Sequence, residues 1–223
     1  MSEHAWSFSA LNQYNTCPYQ YYRIKVRKDI KDSMNEAATW GNEVHKKLEH
    51  RIRDKEPLPE RFKQYEPLAR PFDKVDGVVL AEQKMTLNRN LRPTSWFAKD
   101  AWCRGIVDVT VLNEENARGF AGDWKTGKRK KDIDQLMLFA ALLFAHYPAI
   151  DRADTAFIWT KEKAVDKESF TRDQEKDIWN HFFEKLKRLE ASFEKDKWPK
   201  KPSGLCKGWC PVRDCPYWEP KNT

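Results

Sequence analysis

The chain has 223 residues and a formal net charge of +7. That length is enough for one large domain with a buried core, and ten Trp residues argue against disorder even though 34% of the residues are charged. No apolar run approaches the roughly 20 residues of a membrane-spanning helix, and the N-terminus lacks a signal-peptide pattern. We therefore expect an intracellular protein with no membrane partner, whose charge fits a polyanionic partner without proving one.

The N-terminal part of the sequence predicts two helical segments. Residues 10–26 carry aromatic and apolar side chains near helical spacing, and the proline that follows Cys17 should interrupt this helix. A second helix is predicted over residues 35–53, where Gly41 and His45 are four positions apart and share a face. A lone helical histidine is usually an ordinary packed or exposed side chain.

A linker and a strand should follow. Residues 56–71 contain four prolines and predict a linker with about one turn of helix. Residues 75–87 predict a strand with Glu82 at its centre. A carboxylate paired with Lys84 or Arg89 would explain Glu82 as well as a functional role does.

Residues 88–99 mix cations and aromatic rings, among them Arg89, Arg92, Trp96 and Phe97. This composition suits contact with a single nucleic-acid strand. A solvated loop with aromatic side chains packed beneath it is an equally good interpretation.

The most informative stretch is a predicted hairpin. Residues 101–112 and 117–125 read as antiparallel strands joined by a polar turn, so Asp108 and Asp123 come from neighbouring strands. Because side chains alternate along a strand, Asp123 and Lys125 share one face and the residue between them points to the other. Two carboxylates and a lysine suit a hard divalent cation and an activated water, as in phosphodiester hydrolysis. An exposed hairpin with a salt bridge would contain the same residues.

The same segment also contains most of a phosphate-binding P-loop. Gly122 and Gly127 have the required spacing and Lys128 follows, but the next residue is Arg129 instead of Ser or Thr. The basic run over residues 128–131 also replaces the expected start of a helix. We therefore reject a P-loop.

The second half of the chain predicts more regular structure. Residues 132–147 form an apolar helix with Gln135 in its first turn, residues 155–160 a short strand, and residues 173–195 a long amphipathic helix. A proline-rich basic connector follows.

Three cysteines near the C-terminus form a candidate metal site. Cys206, Cys210 and Cys215 lie within ten residues, and Cys17 is the natural fourth ligand because its Cys-Pro context repeats that of Cys210 and Cys215. Four thiolates suit a 4Fe-4S cluster or a tetrahedral Zn²⁺, and a site without metal is the third possibility. Cys103, inside a predicted strand, reads as an ordinary buried thiol.

Asp108 followed by Asp123-x-Lys125 resembles the core of the PD-(D/E)XK nuclease superfamily, and the surrounding Gly-Ile-Val-Asp and Asp-Trp-Lys-Thr-Gly-Lys sequences resemble its RecB-type branch. The resemblance implies that both acids bind a Mg²⁺ or Mn²⁺ ion, that the backbone carbonyl of Trp124 completes the coordination, and that Lys125 assists the attacking water.

The resemblance extends to residues outside the hairpin. It implies that His45, in Gly-x-x-x-His, joins the metal shell, that Glu82 lies near the active site, and that Gln135 orients DNA or the catalytic lysine. The branch has Gln-x-x-x-Tyr where this chain has Phe139, so the phenol hydroxyl is lost while ring packing is kept. The cysteine pattern is similar to that of iron-sulfur RecB-type nucleases, in which a cluster joins the chain ends. Here the C-terminal spacings are three and four residues instead of two and five.

The resemblance implies an α/β, restriction-endonuclease-like fold with a central mixed sheet flanked by helices, an N-terminal helical portion and a metal-stapled C-terminus. We expect a nuclease domain over residues 1–196 and a Cys-rich segment over residues 197–223 joined to Cys17. The implied function is a metal-dependent DNA exonuclease of recombination or repair that acts on single-stranded ends. A helicase or recombination protein is the expected partner, and a bacterial or viral cytoplasm the expected setting. The alternative is a catalytically silent nucleic-acid-binding subunit.

Overall fold

The computed structural model describes residues 4–32, 36–130 and 132–220. The chain forms two compact units, Met1–Ala5 with Glu36–Trp179 and Trp6–Asn35 with Asn180–Thr223. The domain boundary expected at residue 196 stays a prediction. Within the described ranges, every helix is too short or too polar to span a membrane.

The helices follow the predicted order with small changes at their ends. They are α1 (Phe8–Thr16), α2 (Pro18–Tyr21), α3 (Glu36–Arg53), α4 (Glu66–Ala69), α5 (Ile133–His146) and α6 (Glu175–Lys195). Asn35, expected to begin α3, and Lys131, expected in the basic run, lie outside the described residues.

The first unit is built on a five-stranded sheet whose spatial order matches the chain order. The strands are β1 (Val78–Asn88), β2 (Ala101–Asn113), β3 (Arg118–Lys125), β4 (Arg152–Trp159) and β5 (Ala164–Thr171). Neighbouring strands are antiparallel except β3 and β4, which are parallel. A parallel pair needs a crossover connection, and α5 supplies it. The mixed sheet flanked by helices confirms the expected α/β fold.

Helices α3 and α5 contact side chains that alternate along β3. Val44, Leu48 and Ile52 of α3 form a buried cluster with Trp124, whereas the next residue, Lys125, bonds to α5. Successive strand residues point to opposite faces, so the two helices flank opposite faces of this part of the sheet. This confirms the prediction that the side chains of Trp124 and Lys125 point to opposite faces of the sheet.

The segment expected to be a linker is largely helical, so that prediction was wrong. A 3₁₀ helix at Glu60–Tyr65, then α4, and a second 3₁₀ helix at Arg70–Asp73 follow one another. Prolines occupy the first turns of α4 and of the second 3₁₀ helix, where a missing N–H costs nothing. Phe62 and Tyr65 are buried against α3, and this tertiary burial stabilises what composition suggested was loose.

Strand β5 was not predicted. Most of its residues are exposed, and Phe170 is its one fully buried side chain. An edge strand of this kind gives almost no hydrophobic signal, and its pairing with β4 decides its structure.

The second unit brings the two ends of the chain together. Cys17 interrupts the helix as predicted, in an extended conformation between α1 and α2. The guanidinium of Arg23 donates to Asp214 at 2.8 Å, and the indole of Trp198 stacks on Tyr22 with a centroid distance of 5.2 Å. These contacts hold the N-terminal helices against the C-terminal segment.

Candidate metal centre and nuclease site

The β2–β3 hairpin positions two buried carboxylates side by side. Val109 pairs with Gly122 at the end of the registered β2–β3 ladder, and Asp108 and Asp123 are the residues next to this pair on the two strands. They are 8% and 7% exposed. The backbone N–H of Trp124 donates to Oδ2 of Asp108 at 2.7 Å, which fixes the orientation of that carboxylate.

Asp123, Lys125 and Gln135 form a closed triangle of polar contacts. Nζ of Lys125 lies 2.8 Å from Oδ2 of Asp123 and donates to Oε1 of Gln135 at 2.9 Å. Nε2 of Gln135 donates to Oδ1 of Asp123 at 2.8 Å. The ring of Phe157 lies 4.7 Å below Nζ of the lysine. The ammonium group is therefore held by three different partners.

The carboxylate of Asp123 keeps unused hydrogen-bonding capacity. Its buried Oδ2 lies 2.8 Å from the ammonium of Lys125 and has no other partner within the described ranges. The contact is an ion pair. Burial raises the pKa of Asp123, and the charge of Lys125 opposes that rise. A cation would stabilise the ionised form further.

His45 reaches the same carboxylates from α3. Its Nδ1 lies 3.3 Å from Oδ2 of Asp108. Burial alone would lower the pKa of the imidazole, but the hydrogen bond and charge of Asp108 outweigh burial and raise it. One turn earlier, a Cβ on Gly41 would stand 2.9 Å from Oγ1 of Thr126. Because Gly41 has no side chain, the side chain of Thr126, which directly follows β3, can pack against α3 at this point.

Glu82 lies closer to the centre of the site than its sequence suggested. It occupies the β1 position opposite Asp108, between the registered pairs Ala81–Val109 and Gln83–Val107. Its φ of 51° is left-handed, a conformation that costs a non-glycine residue about 1–3 kcal/mol. Its carboxylate hydrogen-bonds that of Asp108, and its role in the site stays a prediction.

Three side chains meet at a spacing that suits a cation. Donor atoms of His45, Glu82 and Asp108 all lie within 4.8 Å of one another. Burial, with the charge of Asp108, raises the pKa of Glu82 to about 7. Two carboxylates and one imidazole match the ligand preferences of Mg²⁺ and, with the nitrogen, of Mn²⁺. The residues present therefore fit a divalent ion.

The four predicted cysteine ligands line one cavity in the second unit. Cys17, Cys206, Cys210 and Cys215 line the same pocket, and their thiols form no disulfide. Nε2 of Gln20 donates to Sγ of Cys210 at 3.5 Å. Cys103 is buried in β2, as predicted.

Some contacts at the site had no signal in the sequence. The placement of Phe157 under Lys125 depends on parallel pairing of β3 with β4 across a crossover helix. The contact of Thr126 with Gly41 joins residues 85 positions apart. Single-sequence periodicity carries no information on such long-range pairs.

Known proteins share this architecture. The family description "PD-(D/E)XK nuclease superfamily" matches residues 5–216. A protein from Eubacterium rectale, described as a candidate exonuclease, has a TM-score of 0.52 and 13% identity over 88% of this chain and 84% of its own. The protein SSO0001 has a TM-score of 0.54 and 15% identity over 97% and 87% of the two chains. At these identities both show a shared fold, and no curated protein matches the chain.

The family match covers nearly the whole sequence and includes the hairpin that carries Asp108, Asp123 and Lys125. The five-stranded mixed sheet flanked by helices is consistent with this match. The chain therefore belongs to the PD-(D/E)XK nuclease superfamily.

Proposed function

We propose that this protein is a divalent-metal-dependent DNA exonuclease that acts on single-stranded ends during recombination or repair. The observation that carries the proposal is the convergence of Asp108, Asp123, Lys125 and His45 on one buried polar site. Nucleases of this superfamily use divalent metals, and the acidic cluster offers suitable ligands.

Each residue has a proposed role. Asp108, Asp123, His45 and the carbonyl of Trp124 hold one or two Mg²⁺ or Mn²⁺ ions, with Glu82 as an added ligand supported by its spacing. Such ions polarise the phosphate and lower the pKa of bound water. His45 must be neutral to ligate, so a bound cation competes with a proton for its nitrogen.

Lys125 orients the attacking water through its ammonium or, as the neutral amine, removes its proton. Its ammonium is held between Asp123 and Gln135, which keeps Nζ within hydrogen-bond reach of a fixed point in the site. Gln135 acts as a positioning residue because it bonds both charged partners. In-line attack then cleaves the P–O bond, and the leaving oxygen takes up a proton from solvent.

The decisive experiment is digestion of 5′- and 3′-labelled single-stranded and double-stranded DNA with Mg²⁺, Mn²⁺ or EDTA. We expect stepwise shortening of single strands that EDTA abolishes. Asp123→Asn and Lys125→Met should each lower the rate more than about 100-fold, whereas Asp154→Asn, on a β4 carboxylate bonded to Lys167, should not. Wild-type degradation by both site variants would show that the site is wrong. DNA binding without cleavage under every metal condition would favour the silent subunit instead.

We also propose that Cys17, Cys206, Cys210 and Cys215 hold a structural 4Fe-4S cluster, with Zn²⁺ as the alternative. Among the described residues, no three of these sulfurs lie within 4.8 Å of one another. Tetrahedral Zn–S bonds of about 2.3 Å would place sulfurs about 3.8 Å apart. The wider spacing supports the larger group.

Anaerobic purification tests the cluster. We expect brown protein with stoichiometric iron and sulfide and a visible absorption that dithionite bleaches. Colourless protein with one equivalent of zinc would favour Zn²⁺. Since reduced thiols persist in reducing compartments, the proposal implies an intracellular setting, where a helicase or recombination protein would supply the single strand.

A further inference from the structure

The loop between β1 and β2 presents an exposed aromatic ring at the tip of a turn. The N–H of Ala98 donates to the carbonyl of Ser95 at 3.0 Å, which closes a β-turn with Trp96 and Phe97 at its centre. Phe97 is 87% exposed. A large apolar side chain this exposed contributes little to folding.

Hydrogen bonds hold this loop in one shape. Oδ1 of Asn88 accepts the N–H groups of Asn90 at 3.0 Å and Arg92 at 3.1 Å. Asp100 accepts from Thr94 at 3.0 Å, so its carboxylate is engaged within the loop. The turn that carries Phe97 is therefore preorganised, and little conformational entropy is lost when a ligand stacks on it.

The ring of Trp96, next to Phe97 in the turn, lies beneath two cations that lack carboxylate partners. Lys84 Nζ and Arg104 Cζ lie over the Trp96 ring at 5.6 Å and 5.5 Å. Considering only residues that the structure describes, neither these cations nor Arg92 and Lys99 form an ion pair with an acid. Other arginines of this unit do form such pairs, as Arg51 does with Asp73. Uncompensated positive charge over Trp96, one residue from the exposed ring of Phe97, matches a ligand that combines phosphates with unstacked bases.

This surface begins close to the metal centre. Lys84 follows Glu82 by two residues on β1, a distance of about 7 Å along a strand. We propose that the surface formed by Lys84, Arg92, Trp96, Phe97, Lys99 and Arg104 binds single-stranded DNA, with Phe97 stacking on a base and the cations contacting phosphates. This inference names the substrate contact of the proposed nuclease site and rests on that proposed function.

The test measures binding in EDTA, where no cleavage interferes, with a fluorescein-labelled oligothymidylate and a blunt duplex. Phe97→Ala should weaken single-strand binding about 5- to 150-fold, the cost of losing about one stacked base, whereas Phe97→Trp keeps an aromatic ring and should retain the wild-type affinity. Lys99→Ala should lower the slope of log K against log salt by about 0.7, as expected for one lost phosphate contact. Two variants serve as controls. Val78→Ala removes an exposed apolar side chain at the start of β1, and Lys74→Ala removes an exposed basic side chain just before that strand. Both should leave binding unchanged.

Wild-type single-strand affinity in Phe97→Ala, or an equal loss for the blunt duplex, would overturn the proposal. So would an unchanged salt slope in Lys99→Ala and Arg92→Ala together. An unchanged thermal transition is expected for Phe97→Ala because the ring is exposed, and it excludes misfolding as the cause. Asp123→Asn separates the two proposals, since it should abolish cleavage and retain this binding.

Discussion

Replacing Gln135 by Met tests whether the positioning of Lys125 controls the site. The amide makes two hydrogen bonds to charged partners, at 2.9 Å to Lys125 and 2.8 Å to Asp123. A hydrogen bond to a charged group contributes about 1.5–3 kcal/mol when buried. Because Gln135 is half-buried, we expect a loss of about 2 kcal/mol in the free energy of unfolding. Met keeps the length of the side chain and removes both bonds.

The larger effect should be on cleavage. Replacing a residue that orients a metal ligand typically lowers metal affinity or activity 10- to 100-fold. We therefore expect single-turnover cleavage of labelled single-stranded DNA to slow by about that factor. A structural role alone would not produce this loss. The matched control is Gln174→Leu, which removes a glutamine that bonds the backbone N–H of Thr171 at 2.9 Å. It should lower stability by about 1 kcal/mol and leave the cleavage rate unchanged.

Equal cleavage rates for Gln135→Met and the wild type, at saturating Mg²⁺, would refute this reasoning. Gln135→Glu supplies a second readout. It keeps an acceptor for Lys125 but places a like charge against Asp123, which should raise the pKa of that carboxyl and move the pH profile of cleavage upward.

Three further outcomes are expected. Burial and neighbouring acids raise the pKa of Glu82 to about 7 from 4.5. The protonated carboxyl therefore stabilises the folded protein below the unfolded pKa, and this stability is lost as pH rises through about 7. In EDTA the difference in Tm between Glu82→Gln and the wild type should grow from pH 5 to pH 8, and a constant difference would contradict the assignment. Gly41→Ala should raise the free energy of unfolding by about 1 kcal/mol through helix propensity only when Thr126 is also replaced by Ala, because the hydroxyl of Thr126 would otherwise stand 2.9 Å from the new Cβ. If the two substitutions had additive effects in a denaturant double-mutant cycle, no such contact would exist. Arg51→Ala should lower the free energy of unfolding, measured in urea, by about 3 kcal/mol, because Glu66 and Asp73 would both lose the guanidinium that they contact. A loss below about 1 kcal/mol would mean that solvent screens the two ion pairs.

The sequence alone determined the β2–β3 hairpin and which of its side chains point to each face of the sheet. Asp108 and Asp123 lie on adjacent strands, and Trp124 enters the core while Lys125 faces α5. A two-residue period is a local property of a strand, so it can be read without knowing what packs on either face. The break at Cys17 was equally local, because proline cannot continue a helix from the preceding turn.

Tertiary structure decided the rest. The left-handed φ of Glu82, which places its carboxylate with His45 and Asp108, has no signature in a strand-like sequence. Strand β5 and the helical turns around Phe62 formed where the sequence indicated no regular structure, because pairing with β4 and burial against α3 stabilise them. Local propensity is worth less than about 1 kcal/mol per residue, whereas burial of one large side chain is worth about 1.5–3 kcal/mol. Long-range packing therefore overrides local preference wherever the two disagree.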